Sequence, residues 1–183
     1  VSRAGIAGSA PAAVASIPVG CLGVLAAEAC GGAGPWQALQ QAAAAAFATH
    51  QQQVDAVMAA AARIQQQEEV NALRVVVTGG TVTTLAALHL RLQQYDHDAV
   101  HMCDLQRSSV QELAQALLAG APHTQPPWLS AKRADSLLPG CATLLALLDA
   151  LGRGVEAVLV SDSDLLDGLM QQLLLSPERP PRE

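Results

Sequence analysis

Aromatic residues are scarce. They make up 2% of the 183 residues: two Trp, one Tyr and one Phe. Ala, Leu and Val must therefore fill any core, and each buried side chain contributes modestly. Basic charge is scarce too. Ten Lys and Arg stand against 16 Asp and Glu, a net charge of -6. Proteins that grip nucleic acid by its phosphates run the other way, so no nucleic-acid partner is expected. No run of ~18 uncharged apolar residues exists, so no membrane span is expected. Leu137 to Leu148 comes nearest, but it is short, contains Pro139 and is followed by Asp149. The four cysteines, Cys21, Cys30, Cys103 and Cys141, form no C-x-x-C pair. Neither a zinc finger nor a thioredoxin-type redox site is indicated, and free thiols in the reducing cytoplasm are expected. The sequence opens on Val1 rather than Met, which fits a piece of a longer protein.

Hydrophobic residues make up 51% of the chain, enough for a core, and its length suits one domain or a small pair of lobes. Residues 1–13 are small and featureless and read as a disordered end. Val14 to Val24 reads as a strand broken at Gly20 or Gly23. Val14 to Ala27 also has the look of a signal-peptide core, but Pro18 and Gly20 interrupt it. Gly31 to Pro35 reads as a loop. Residues 36–69 are rich in Ala and Gln, strong helix formers, and carry Phe47, Val54, Val57, Met58, Ala61 and Ile64 at helical spacing. One long helix or two shorter ones are expected.

Arg74 to Thr78 is β-branched without polar alternation, which suits a strand buried on both faces of a parallel sheet. Gly79-Gly80 turns the chain, and Thr81 is expected to open a helix to Leu92. Asp96-His97-Asp98 reads as a polar turn, and Val100 to Leu105 as a further strand. Ser109 and Glu112 have capping-box spacing before a helix that shows Val110, Leu113, Ala114, Leu117 and Leu118 on one face and stops at Gly120. Prolines mark Ala121 to Leu129 as a loop. Lys132 to Leu151 is the clearest amphipathic helix, which Pro139 should kink or restart. Ala157 to Val160 is a second buried strand, and Asp164 to Leu175 the last helix. Residues 176–183 read as a tail. Alternating strands and helices predict an α/β layered domain, whose ligands sit at the C-terminal ends of the strands.

Two strand ends qualify, Thr78–Thr81 and Val160–Asp164. At the first, Gly79 and Gly80 bare the backbone at a helix N-terminus, where N–H groups and the helix dipole favour an anion such as phosphate. Thr81 can cap that helix and face the ligand. The turn lacks G-x-G-x-x-G spacing and a Walker lysine, and on spacing alone a plain tight turn explains it better. At the second, Ser161, Asp162, Ser163, Asp164 and Asp167 could hold Mg²⁺ through water, but capping the last helix is the simpler role. His89, His97 and His101 have no metalloprotease spacing and read as solvated or capping. No serine stands in a G-x-S-x-G context, and Lys132-Arg133 reads as a solvated helix start able to meet a phosphate.

Taken in order, these segments resemble the exopolyphosphatase / guanosine pentaphosphate phosphohydrolase family. Val75 to Leu88 (VVVTGGTVTTLAAL) is similar to its GGT-x-TTLAAL segment. Tyr95-Asp96 with Val100-His101, Leu129 to Gly140 (LSAKRADSLLPG) and Val158 to Leu169 (VLVSDSDLLDGL) resemble three further steps. Ala15 to Gly20 (ASIPVG) resembles a strand upstream of them. The resemblance runs collinearly over roughly residues 14–174. It implies an α/β fold of the actin/Hsp70/sugar-kinase type, here one ribonuclease-H-like lobe with a partial mixed sheet and flanking helices over residues 14–175. It implies removal of terminal phosphate from polyphosphate or guanosine pentaphosphate, with Mg²⁺ in the complete enzyme. Gly79, Gly80, Thr81, Ser161 and Asp162 then become the expected phosphate-binding residues.

The departures are as informative. The family's first lobe, with its catalytic carboxylate, has no counterpart here, and residues 1–13 lack the second lobe's phosphate loop. The family's arginine–glutamate pair reads Leu166-Asp167. The resemblance therefore implies a lobe that does not catalyse alone and whose partner is the missing lobe or another copy. The alternative is a non-enzymatic partner-binding module derived from that lobe.

Overall fold

The short β-branched run before the glycine pair and the apolar AVLV run lie side by side. The computed structural model describes residues 13–21, 23–24, 34–67, 74–152 and 154–175. In it, β1 (Val76–Thr78) pairs in parallel with β3 (Ala157–Ser161), placing Val77 opposite Val160. Strand β2 (Cys103–Gln106) pairs with the other edge of β3, antiparallel, placing Leu105 opposite Val158. The order β1-β3-β2 makes a small mixed sheet with β3 at its centre.

The helices, in chain order, are α1 (Pro35–Thr49), α2 (Gln51–Gln67), α3 (Gly80–His89), α4 (His97–Val100), α5 (Arg107–Leu118), α6 (Ala131–Ala134), α7 (Leu137–Leu151) and α8 (Leu165–Leu175). Val158 and Val160 of the sheet pack with Leu85 and Leu88 of α3, Val110 and Leu113 of α5, and Leu144 and Leu148 of α7. A second cluster joins Leu39, Ala43 and Phe47 of α1 to Ala142 and Ala146 of α7. Alanine facing alanine lets those two helices approach closely, which suits a core with few aromatics. Helix α7 belongs to both clusters. Ala131–Leu151 together are long and apolar enough to cross a membrane, but half of the most apolar window is buried inside the molecule.

The Ala/Gln region forms two helices that break at His50, whose N–H donates to the Phe47 carbonyl (2.9 Å) and whose carbonyl accepts from Gln53 N–H (3.0 Å). Pro35 belongs to α1 rather than to the loop before it, because the first turn needs no N–H from it. Pro139 likewise lies in the first turn of α7, so the amphipathic stretch is two helices with a turn at Asp135-Ser136. Gly120 ends α5 with φ +63°, and Ala121 N–H donates to the Ala116 carbonyl (2.9 Å).

Several expectations change. Val14 to Val24 forms no strand in its described residues. Val24 N–H reaches back to the Gly20 carbonyl (3.0 Å), and Ile17, Val19 and Val24 pack on the α1–α7 cluster. Their apolar surface is satisfied by helices, so no sheet partner is needed. Strand β1 is parallel as expected but not buried on both faces. It lies at the sheet edge, and Val76 is 55% exposed. Asp96-His97-Asp98 opens α4, a short helix capped by the Asp96 carboxylate, which accepts from the N–H groups of Asp98 and Ala99. Ser109 caps nothing. Helix α5 starts straight from β2, where Arg107 N–H donates to the Glu156 carbonyl (2.8 Å), and this leaves Ser109 buried inside the first turn. Leu118 is exposed rather than on the buried face. Cys21, Cys103 and Cys141 are free thiols, and burial pushes Cys141 up to about 12. Cys30 and both terminal segments, 1–12 and 176–183, lie outside the described residues.

Candidate functional site

Residues from four places in the chain meet at the C-terminal ends of β1 and β3. Thr78, Gly79, Gly80, Thr83, Tyr95, Arg133, Asp162 and Asp164 line a pocket of about 300 Å³. Gly79 leaves β1 with φ +115°, a conformation that favours glycine, and caps α3 with its backbone alone. The first N–H groups of α3 have no partner within the helix, as at any helix N-terminus. The Arg133 guanidinium lies over Gly80. A Cβ added at Gly80 would stand 3.4 Å from Arg133 Nη2. Helix α6 carries that arginine across from a different part of the chain.

Asp162 is held on three sides. Its Oδ2 accepts from the Tyr95 hydroxyl (2.9 Å) and is paired with His97 Nδ1 (2.6 Å). Its backbone N–H donates to His101 Nδ1 (3.3 Å). The rings of His97 and His101 stack with centroids 6.1 Å apart. Tyr95 in turn meets Trp128 edge to face at 5.8 Å. Burial, and then the nearby Asp162 carboxylate, raise the Tyr95 phenol, while the Thr83 hydrogen bond and Arg133 pull it down. The net direction keeps the phenol protonated as a donor to Asp162. Asp164 caps α8. Its Oδ1 accepts from Leu166 N–H (2.7 Å), and its own N–H donates to Asp167 Oδ2 (2.8 Å).

Of the five residues singled out from sequence, Gly79, Gly80 and Asp162 line this pocket. Thr81 and Ser161 do not. Thr81 points to α7, with its Oγ1 3.8 Å from Cys21 Sγ and its methyl against Gly140. It is not the cap of α3, because the helix begins one residue earlier. Ser161 Oγ donates to the Ser163 carbonyl (2.9 Å) and accepts from Ser163 N–H (3.2 Å), which ties the turn down. His97 and His101 are not merely solvated or capping; they grip Asp162. Arg133 is more than a solvated helix start. Thr78 and Asp164 lie in the two strand ends expected from sequence, whereas Thr83 and Tyr95 were missed as pocket residues. Tyr95 and Arg133 lay within the resembling segments, yet only the tertiary fold brings them together. Among the described residues, no three His, Cys, Asp or Glu side chains are grouped to hold a metal ion.

No family model matches the sequence. No curated protein matches it either. Among solved structures, the chain is similar to the type II variant of the Aquifex aeolicus Ppx/GppA phosphatase, at 22% identity and TM-score 0.50, covering 68% of this chain and 42% of that one. It is also similar to the Aquifex aeolicus member of the Ppx/GppA family, at 25% identity and TM-score 0.47, covering 56% and 34%. The chain thus spans less than half the length of each. At such identity the likeness is one of fold: the chain shares the fold of part of a Ppx/GppA phosphatase.

Proposed function

We propose that residues 14–175 are the second, ribonuclease-H-like lobe of a cytoplasmic phosphohydrolase that removes terminal phosphate from polyphosphate or guanosine pentaphosphate. The observation that carries this reading is the pocket itself: bare backbone at the start of α3 with the Arg133 guanidinium above it. Helix N–H groups and a guanidinium are complementary to phosphate oxygens. The lobe binds the phosphate chain and does not hydrolyse it unaided. Hydrolysis needs a positioned water, a base and charge neutralisation at the reacting phosphorus. The carboxylates in this pocket are engaged, Asp162 by Tyr95 and His97 and Asp164 by the start of α8. In the complete protein Mg²⁺ would supply that charge neutralisation. Thr81 and Ser161 support the site from behind.

The test is tripolyphosphate binding by calorimetry, with Gly80→Trp and Arg133→Gln. An indole at Gly80 fills the mouth beside the guanidinium, and Arg133→Gln removes the cation, so binding should weaken at least about tenfold in each variant. Unchanged binding in a folded Arg133→Gln protein would remove the site from this pocket.

A second reading, a partner-binding or assembly module, is favoured by α8. Leu165, Leu166, Leu169, Met170, Leu173 and Leu174 are all exposed, between 46% and 78%. So continuous an apolar face favours association. Sedimentation of the chain tests the assembly form: self-association that Leu169→Gln with Leu173→Gln abolishes is expected, and a strictly monomeric parent chain would remove self-assembly and leave only a different partner.

A further inference from the structure

We propose that His97 sets the charge of the anion pocket, so that a tetrahedral oxyanion binds there without a metal ion and more weakly as pH rises through the histidine range. The inference rests on the phosphate-site reading above and adds its regulation.

Among the described residues, an anion in this pocket meets one cation, Arg133, and two carboxylates, Asp162 and Asp164. Asp164 is spoken for by the first N–H groups of α8, whose dipole offsets its charge. Asp162 is the repulsive group that remains. Two donors converge on its Oδ2, the Tyr95 hydroxyl and His97 Nδ1. A neutral phenol can donate a hydrogen bond but cannot cancel the charge. An imidazolium can. Neutral His97 with Nδ1–H leaves Asp162 negative, whereas protonated His97 makes an ion pair with it. Among the described residues no three His, Cys, Asp or Glu side chains are grouped around Asp162 as a ready-made cation site.

The groups around His97 point the same way. His101, stacked on it, accepts the Asp162 N–H at Nδ1, so in this arrangement that nitrogen carries no proton. Asp96 and Asp98 flank His97 on its own helix, and the Asp96 carboxylate is occupied by backbone N–H groups. Arg133 lies across the pocket and Tyr95 beside Asp162. Histidine ordinarily changes charge between pH 5 and 8. Protonated His97 favours the bound anion, and by linkage the bound anion favours the proton. Affinity is thus highest at low pH and falls as pH rises.

Sulfate is the probe, because it is tetrahedral and keeps its double charge across this range. It is titrated into the chain in the presence of a chelator at about pH 5.5 and about pH 8, and the amide signals of Gly79 and Gly80 are followed by NMR. Binding should weaken about fivefold at the higher pH, the order expected for one partly screened charge. Mg²⁺ in place of chelator should change nothing. His97→Gln should bind weakly at both pH values, and His97→Lys, with a permanent cation, should bind without pH dependence. The same pH dependence in His97→Gln as in the parent chain, or a requirement for Mg²⁺, overturns the inference. If Arg133→Gln abolishes binding while His97→Gln keeps its pH dependence, the phosphate site stands and the role of His97 falls. If sulfate moves neither glycine signal at either pH, both fall together.

Discussion

Leu148→Ala is expected to cost about 2–5 kcal/mol of folding stability, read from the urea midpoint. Leu148 is fully buried on α7, the helix that the sheet side and the α1 side of the core both use. Deleting its branched end removes transfer free energy and leaves a cavity. The surroundings are poorly equipped to close it. The core is built from Leu, Val and Ala, and Phe47 is the sole phenylalanine, committed to the other cluster. Since a domain's whole stability is on the order of 5–15 kcal/mol, the loss is a large fraction of it. Leu174→Ala is the control. Leu174 is 78% exposed on α8, and its change should stay within about 0.5 kcal/mol. Equal effects at the two sites would mean that α7 is not the centre of the core.

Gly140→Ala should destabilise by about 1–3 kcal/mol, against the usual sign for glycine in a helix. In an open helix position alanine gains about 0.5–1 kcal/mol over glycine. Gly140 is not open. It is buried in the first turn of α7, where an added Cβ would overlap the Thr81 methyl and touch Cys21 Sγ at 3.7 Å. Thr81 is β-branched and stiff at χ1, so its methyl does not swing aside freely. This contact sets how closely α3 approaches α7. The chemical check is a double-mutant cycle: Thr81→Ser deletes the methyl and should restore most of what Gly140→Ala loses. Gly140→Ala more stable than the parent chain would contradict the close approach of the two helices.

Much of the architecture was legible in the residues. Hydrophobic periodicity located α7, the AVLV run named the central strand, and Gly120 marked the end of α5. These are local decisions, made by burial pattern and backbone conformation within a few residues. The Gly79-Gly80 turn was legible for the same reason, since a positive φ beside a helix start is written in the glycines. Where long-range packing competed with a local preference, it won. Val14 to Val24 has strand composition, yet Ile17, Val19 and Val24 found the α1–α7 cluster. Ser109 has capping chemistry, yet β2 runs directly into α5 and buries it.

The candidate site divides along the same line. The sequence by itself determined that a bare backbone turn would follow a β-strand and open a helix. The tertiary structure alone decided what faces that turn. It swung Thr81 toward Gly140, brought Arg133 over Gly80 from a separate helix, and closed Tyr95 and His97 on Asp162. The physical reason is distance along the chain. Conformational preferences act between near neighbours, whereas the charge balance of a pocket is a sum over groups that only packing brings within a few ångströms of one another.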